Sequence, residues 1–297
     1  MKRILELAVP GLVGVLMMGA GVGLLPAGGA NPIEEPTPVP EPTPADPAAE
    51  GGTGEGQPAE DQPAGGESAE DQPAEGEAKG DPETAAAAPA VDCAVLKCVA
   101  LTFDDGPSPD YTPRVLDTLV SEGVPATFFM QGSNLRAYPE VAEQVAQTPG
   151  MQIANHTVTH PDLTGVNDER LRTEIGGQAD EIERVTGKRP TVLRPPYGLQ
   201  DETVDKAAAE LGHAVVLWDV DTQDWQESDP AIVNETVAEQ VRTGSIVLMH
   251  DVHATSPTAL PQMVRSLKEQ GYTLVTVSEL LGDPEPGKVY ENRVDPA

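Results

Sequence analysis

The chain has 297 residues, 49 of them acidic against 18 basic, for a formal net charge of −31 at pH 7. That length holds one large folded domain and further segments. The charge excludes nucleic acid and anionic membrane surfaces as partners, because both would repel it.

At the amino end, Lys2 and Arg3 open a long apolar run closed by Gly28-Gly29-Ala30, which reads as an export signal or an uncleaved membrane anchor. The run over 7–26 is about as long as a spanning helix needs. Its Gly and Pro content and small-residue end favour a cleaved signal over an anchor. An ordinary buried helix is disfavoured, because the polar stretch after it offers it nothing to pack on. Residues 31–91 are Pro, Glu, Ala, Gly, Asp and Gln with almost no large apolar side chain, and "AEDQPA" occurs from Ala59 and again from Ala69. Such a stretch cannot bury enough apolar surface to offset its ordering entropy, and proline and like charges keep it extended. It is expected to be a disordered acidic tether that holds a domain off a membrane or lets it reach through a wall; a pro-segment or plain spacer has the same composition. Cys93 and Cys98 come next. In an exported chain an even, closely spaced pair suggests a disulfide, with a metal-binding pair as the alternative.

From residue 92 to 297 the pattern alternates. Apolar, β-prone runs occupy 99–103, 126–131, 151–155, 191–193, 214–219, 245–249 and 273–277. Helical spacing fills 112–121, 139–147, 168–186, 202–211, 230–241 and 257–270. Strands alternating with helices imply a mostly parallel sheet with helices outside. So many repeats of one unit favour an α/β architecture resembling a (β/α)8 barrel over an open sheet. The chemically loaded residues then fall at one end. Asp104 and Asp105 follow the first strand, His156 and His160 the third, Arg194 to Gly198 the fourth, Asp221 to Trp225 the fifth, and His250 and Asp251 the sixth. Carboxyl ends of strands are where parallel α/β barrels build their sites.

Two histidines four residues apart have metal-ligand spacing, although Thr157, Val158, Thr159 and Pro161 predict a turn or irregular helix there. Two His with one Asp make a three-ligand site with open positions, and a cation so held relieves the repulsion between Asp104 and Asp105. The other Asp is left as a general base toward water. Arg194 is expected to hold that carboxylate in a bidentate pair. His250 is expected to protonate the leaving group, with Asp221 as its partner raising its pKa. Together these groups read as a metal-assisted hydrolase of a carbonyl substrate.

In this order "TFDDGP", "HTVTH", "RPPYG", "DTQDW" and "LMH" resemble the five motifs of the polysaccharide deacetylase family (carbohydrate esterase family four, the NodB-homology domain), over roughly residues 97–281. The resemblance implies a distorted (β/α)7-8 barrel, a divalent metal, usually zinc, and hydrolysis of an acetyl group on a sugar. Carried over by motif, Asp104 is the catalytic base and Asp105, His156 and His160 are the metal ligands. Arg194 holds Asp104, and the Tyr197 backbone N–H helps stabilise the oxyanion. His250 is the acid with Asp221 as partner, and Leu248 and Trp225 wall the acetyl pocket. Asp224, His253 and Asp251 have weaker claims.

Two His and one carboxylate also suit a non-haem Fe(II) oxygenase, but that leaves Asp104, Arg194 and His250 without work. A non-catalytic wall-binding module is disfavoured by the intact acid/base set, and a serine hydrolase by the lack of a G-x-S-x-G elbow. The exported, tethered layout points to a secreted or cell-surface enzyme on an acetylated cell-wall glycan. N-deacetylation of N-acetylglucosamine units in peptidoglycan or a chitin-like glycan is favoured, with O-acetyl removal from xylan as the competitor.

Overall fold

The computed structural model describes residues 91–293. The signal or anchor expected over 1–30 and the tether expected over 31–91, save Val91, lie outside the described residues. Among the described residues no helix is long and apolar enough to cross a membrane.

The strand that carries Asp104 is β1, Cys98–Asp104, buried along its whole length. A continuous apolar run of this kind suits a parallel strand covered on both faces. It lies between β2 (Ala126–Met130) and β7 (Ile246–His250), and its start also pairs with β8 (Thr273–Val275). Beyond them stand β3 (Met151–Asn155), β4 (Val192–Leu193), β5 (Ala214–Val216), β6 (Val220–Asp221) and β9 (Val289–Tyr290), in the spatial order β6-β7-β1-β2-β3-β4-β5-β9. Every ladder is parallel. Among the described residues the ladder does not close on itself; an antiparallel bridge from Ser245 to Asn292 ties the β7 side to the chain beyond β9. The result is the expected distorted (β/α) barrel, curled and incompletely closed.

Helices cover the outside: α1 (Thr112–Glu122), α2 (Gly132–Ala137), α3 (Pro139–Gln147), α4 (Asp168–Thr186), α5 (Glu202–Glu210), α6 (Pro230–Gln240), α7 (Thr255–Glu269) and α8 (Val277–Leu281). Their ends carry local signals. The Asn167 side chain accepts from Arg170 N at the start of α4, and Asp201 and Asp229 cap α5 and α6 in the same way. The main core lies between β1, β2 and β7 and helices α1 and α7, around the stacked rings of Phe103 and Phe128, whose centroids are 5.2 Å apart. Each such buried side chain contributes roughly 1.5–3 kcal/mol relative to exposure. Cys93 and Cys98 are bonded, with sulfurs 2.05 Å apart, and both are buried in a second cluster.

The elements β9, α2 and α8 go beyond the sequence expectation, and two of the expected strands stop early. The run over 214–219 is interrupted: β5 ends at Val216 and β6 resumes at Val220. The segment changes partners, from β4 to β7, and the carbonyls of Val216 and Leu217 are taken by the Arg194 side chain. The run over 273–277 stops at Val275, because Thr276 and Glu279 form a capping box that starts α8.

Candidate active site

Asp104 ends β1 in register with Phe129 on one side and His250 on the other. Asp105 leaves the strand at φ 72, a left-handed conformation that Asp tolerates better than most residues. The turn is held by Asn134, which donates to the Asp105 carbonyl at 2.8 Å, and by Gln131 N, which donates to the Gly106 carbonyl at 2.9 Å. The backbone change separates the two neighbours: Asp104 meets Arg194 at 2.7 Å, while Asp105 meets His156 and His160 at 3.4 and 3.3 Å. Asp104 also lies 3.7 Å from His156 Nε2, so the two carboxylates share that imidazole, while Arg194 serves Asp104 alone and His160 serves Asp105.

His156 and His160 lie in an irregular segment after β3, with Thr157 at φ 64 and His160 at φ 60. Non-glycine residues in that region cost about 1–3 kcal/mol each, and such conformations persist only where surrounding contacts enforce them. His156 is buried, and its Nδ1 lies 2.7 Å from the Arg194 carbonyl. A carbonyl only accepts, so Nδ1 carries the hydrogen, and Nε2 is left facing Asp105, on the side where a cation held between them would take its lone pair. One ligand atom each from Asp105, His156 and His160 lies within 4.8 Å of the others.

The electrostatics fit a cation there. Burial opposes charge on Asp105, but the histidines, His156 first, outweigh it and hold the carboxyl well below the usual range. Burial likewise opposes charge on His156, yet Asp104 and Asp105 push its pKa up. His160 is shifted down by burial and by His156 beside it. The two carboxylates beside His156 supply negative potential at a buried imidazole, which a divalent ion would satisfy.

Arg194 is fully buried. Its Nη1 donates to Asp104 at 2.7 Å and to Thr102 Oγ1 at 2.8 Å, its Nε and Nη2 donate to the Val216 and Leu217 carbonyls, and its guanidinium lies 4.1 Å from the Phe129 ring centre. The expected bidentate fork is therefore a single contact, because the rest of the guanidinium is committed to backbone carbonyls and Thr102. Burial lowers its pKa, against the pull of Asp104. Tyr197 sits at φ 61 in the short helical turn Pro196–Gly198, with its ring 4.7 Å from that of His160. The turn's own hydrogen bonds come from Gly198 N and Leu199 N, one and two residues beyond the Tyr197 amide. Gly198 is required here by a positive φ and by close approach to the Trp218 ring.

The acid side needs a correction. His250 Nδ1 lies 2.8 Å from Asp224 Oδ1, and His250 N donates to Asp224 Oδ2 at 2.7 Å. Ser256 donates to the same carboxylate. Asp221, the partner expected from sequence, instead accepts from Gln223 N at 2.9 Å. The reason is register. Asp221 pairs with Leu248, two residues short of His250, and a positive φ at Gln223 turns the chain so that Asp224 reaches the end of β7. The second Asp of "DTQDW" carried the signal. Burial opposes charge on His250, but the Asp224 hydrogen bond and charge win and raise its pKa to about 9. Asp224 is lowered in turn, against burial, chiefly by His250 and Ser256.

A cavity of about 510 Å³ joins these groups: Asp104, Asp105, His156, His160 and His250 share it with Tyr197, Asp221, Trp225 and Leu248. Leu248 is buried, whereas Tyr197 and Trp225 are 65% and 54% exposed and belong to the rim. Trp218 and His253 complete the lining. Sequence reasoning passed over Trp218, whose place depends on the β5–β6 break, and gave His253 only a weak claim.

A family model described as polysaccharide deacetylase matches residues 93–216. A peptidoglycan-N-acetylglucosamine deacetylase of Bacillus cereus is 39% identical over 190 residues, covering 62% of this chain and 88% of that protein. The peptidoglycan-N-acetylglucosamine deacetylase PgdA of Listeria monocytogenes is 40% identical over 200 residues, covering 67% of this chain and 42% of that protein, so the chain spans about two fifths of its length. A deacetylase solved with substrate superimposes with a TM-score of 0.65 at 44% identity, covering 68% of this chain and all of that one.

Proposed function

The chain belongs to the polysaccharide deacetylase family, and on that premise we propose that it hydrolyses N-acetyl groups of N-acetylglucosamine units in peptidoglycan, outside the cell. One observation carries the reading. Arg194-bound Asp104 at the end of β1 and Asp224-bound His250 at the end of the neighbouring β7 face one cavity, with the Asp105–His156–His160 triad in the same space.

Asp105, His156 and His160 would hold a divalent cation, which we take to be zinc; when bound it supplies Lewis acidity to a carbonyl and to water. Asp104 removes a proton from the attacking water, and Arg194 fixes the angle from which it does so. The Tyr197 N–H donates to the oxygen that gains negative charge. His250 begins protonated, because Asp224 holds its pKa near 9, and gives that proton to the departing amine. The balance is amide plus water to amine plus acetate. Leu248 forms the floor for the acetyl methyl, and Trp225 and Tyr197 border the mouth where the sugar chain lies. Export is supported by the basic and apolar amino end and by the bonded cysteine pair; the acidic stretch up to residue 91 would serve as the tether.

The test is acetate release by the purified full chain, loaded with zinc, from N-acetylglucosamine oligomers, peptidoglycan and acetylated xylan. Release from the first two that vanishes with a chelator and in Asp104→Asn is expected. Release from xylan alone would make the chain an O-acetyl esterase, and no release from any would leave a non-catalytic relative.

A further inference from the structure

We propose that Glu174 of α4 is the positioning residue of the metal triad, acting through Thr159 on the segment that joins His156 to His160. The inference rests on the metal-site reading above and extends it to a residue outside all five sequence motifs.

The segment's backbone bonds run in order. His156 N donates to the Met130 carbonyl and Thr157 N to the Asn155 side chain. The Thr157 and Val158 carbonyls accept from Gly132 N and Ser133 N at the start of α2. Val158 N donates to the Glu174 carbonyl at 3.1 Å, and His160 N to Thr157 Oγ1. Thr159 N, the amide next to the second ligand, donates to Glu174 Oε2 at 2.8 Å, and Thr159 Oγ1 donates to Oε1 at 2.6 Å. Arg170 closes the arrangement, with Nη2 at 2.5 Å from Glu174 Oε1 and 2.9 Å from Thr159 Oγ1.

Glu174 is 1% exposed. A carboxylate is placed in such a position only when its acceptor sites are filled. Each of its side-chain partners is a donor, so the site calls for an acceptor-only group. Glutamine would present its NH2 to one of them. The ligands need the restraint, because Thr157 and His160 both adopt left-handed conformations that neither residue takes up unaided. The Glu174 carboxylate and backbone carbonyl together grip the two amides between those residues. The role parallels that of groups behind metal ligands elsewhere, whose loss costs about 10–100-fold in metal affinity.

The test is zinc affinity of the full chain, measured by competition with a chromophoric chelator for wild type, Glu174→Gln and Thr159→Ala. Thr159 is exposed, so its variant keeps the fold while removing one of the two bonds. Far-UV circular dichroism of the zinc-free proteins checks folding. Expected are an affinity loss of about tenfold or more for Glu174→Gln and a smaller loss of about threefold for Thr159→Ala. Affinities within twofold of wild type in both folded variants would overturn the proposal, as would a loss in Glu174→Gln matched by unfolding while Thr159→Ala binds normally. Failure of wild type to bind zinc would instead overturn the metal-site reading on which it rests.

Discussion

The two flanks of the catalytic cavity are secured by different means. On the β3–β4 side, His156 and Arg194 directly follow strands that pair with each other. Their partners are strand-end groups or backbone: Arg194 reaches Asp104, and its own carbonyl orients His156. On the β7 side, His250 ends a strand but its partner does not come from one. Its partner Asp224 comes from a loop bent at Gln223 and is steadied by Ser256 near the start of α7. The first flank is therefore part of the barrel's own construction, while the second is a pairing that loop conformation decides. Changes on the first should harm stability and chemistry together. Changes on the second should act mainly through proton transfer.

The largest effect is expected at Asp104. Asp104→Asn removes the base and should lower kcat by about 10²–10⁴-fold. It also leaves the buried Arg194 charge unmatched, which should cost on the order of 3 kcal/mol. Acetate release and urea unfolding on the same preparation read both. A loss of turnover at wild-type stability would mean that Thr102 and the backbone carbonyls alone hold Arg194, and the contrast between the flanks would fail.

On the other flank, Asp224→Asn should lower kcat by about 10²-fold, whereas Asp221→Asn should stay within about threefold, since it removes no contact to His250. Steady-state kinetics of the pair decide between the two carboxylates. A larger loss in Asp221→Asn would restore the pairing expected from the motif.

The same pairing sets a pH limit. The folded pKa of His250 is raised to about 9 from 6.5. Its contribution to stability is therefore complete below pH 6.5 and is lost as the pH rises through 9. Activity has the same sign, because the acid must begin protonated: kcat/KM should fall above about pH 9. In Asp224→Asn that limb should move down toward 6.5. A pH–rate profile checks both, and an unmoved limb would assign it to another group.

These differences also explain what could be read from the sequence. The alternation of apolar runs and helical spacing located most strands and helices, and both carboxylates and both histidines of the triad region sit at strand ends where short motifs specify them. The same reasoning failed where a backbone turn or a change of strand partner decides the outcome. The φ of Gln223 exchanges Asp221 for Asp224, and the break after Val216 brings Trp218 to the cavity. Neither can be derived from hydrophobic period. Glu174 escaped because it lies mid-helix, where a buried acid resembles the polar face around it until its partners are known.

A modest effect, on binding and not on turnover, is expected at Trp225, which directly follows Asp224 in sequence yet is 54% exposed at the rim. Its two conceivable attachments make different predictions. If it only borders the sugar chain, Trp225→Ala should lose roughly 1 kcal/mol of aromatic contact, about fivefold in KM, with kcat within about twofold. Stability should change by about 0.5 kcal/mol or less, as for other exposed substitutions. If the ring instead steadies the loop that presents Asp224, kcat should fall with KM unchanged and the alkaline limb should shift as in Asp224→Asn. Kinetics on both sides of the alkaline limb separate the cases. Its exposure and its place on the cavity lining favour the first, and the second outcome would extend the loop-dependent flank by one residue, from the carboxylate that charges His250 to the ring beside it.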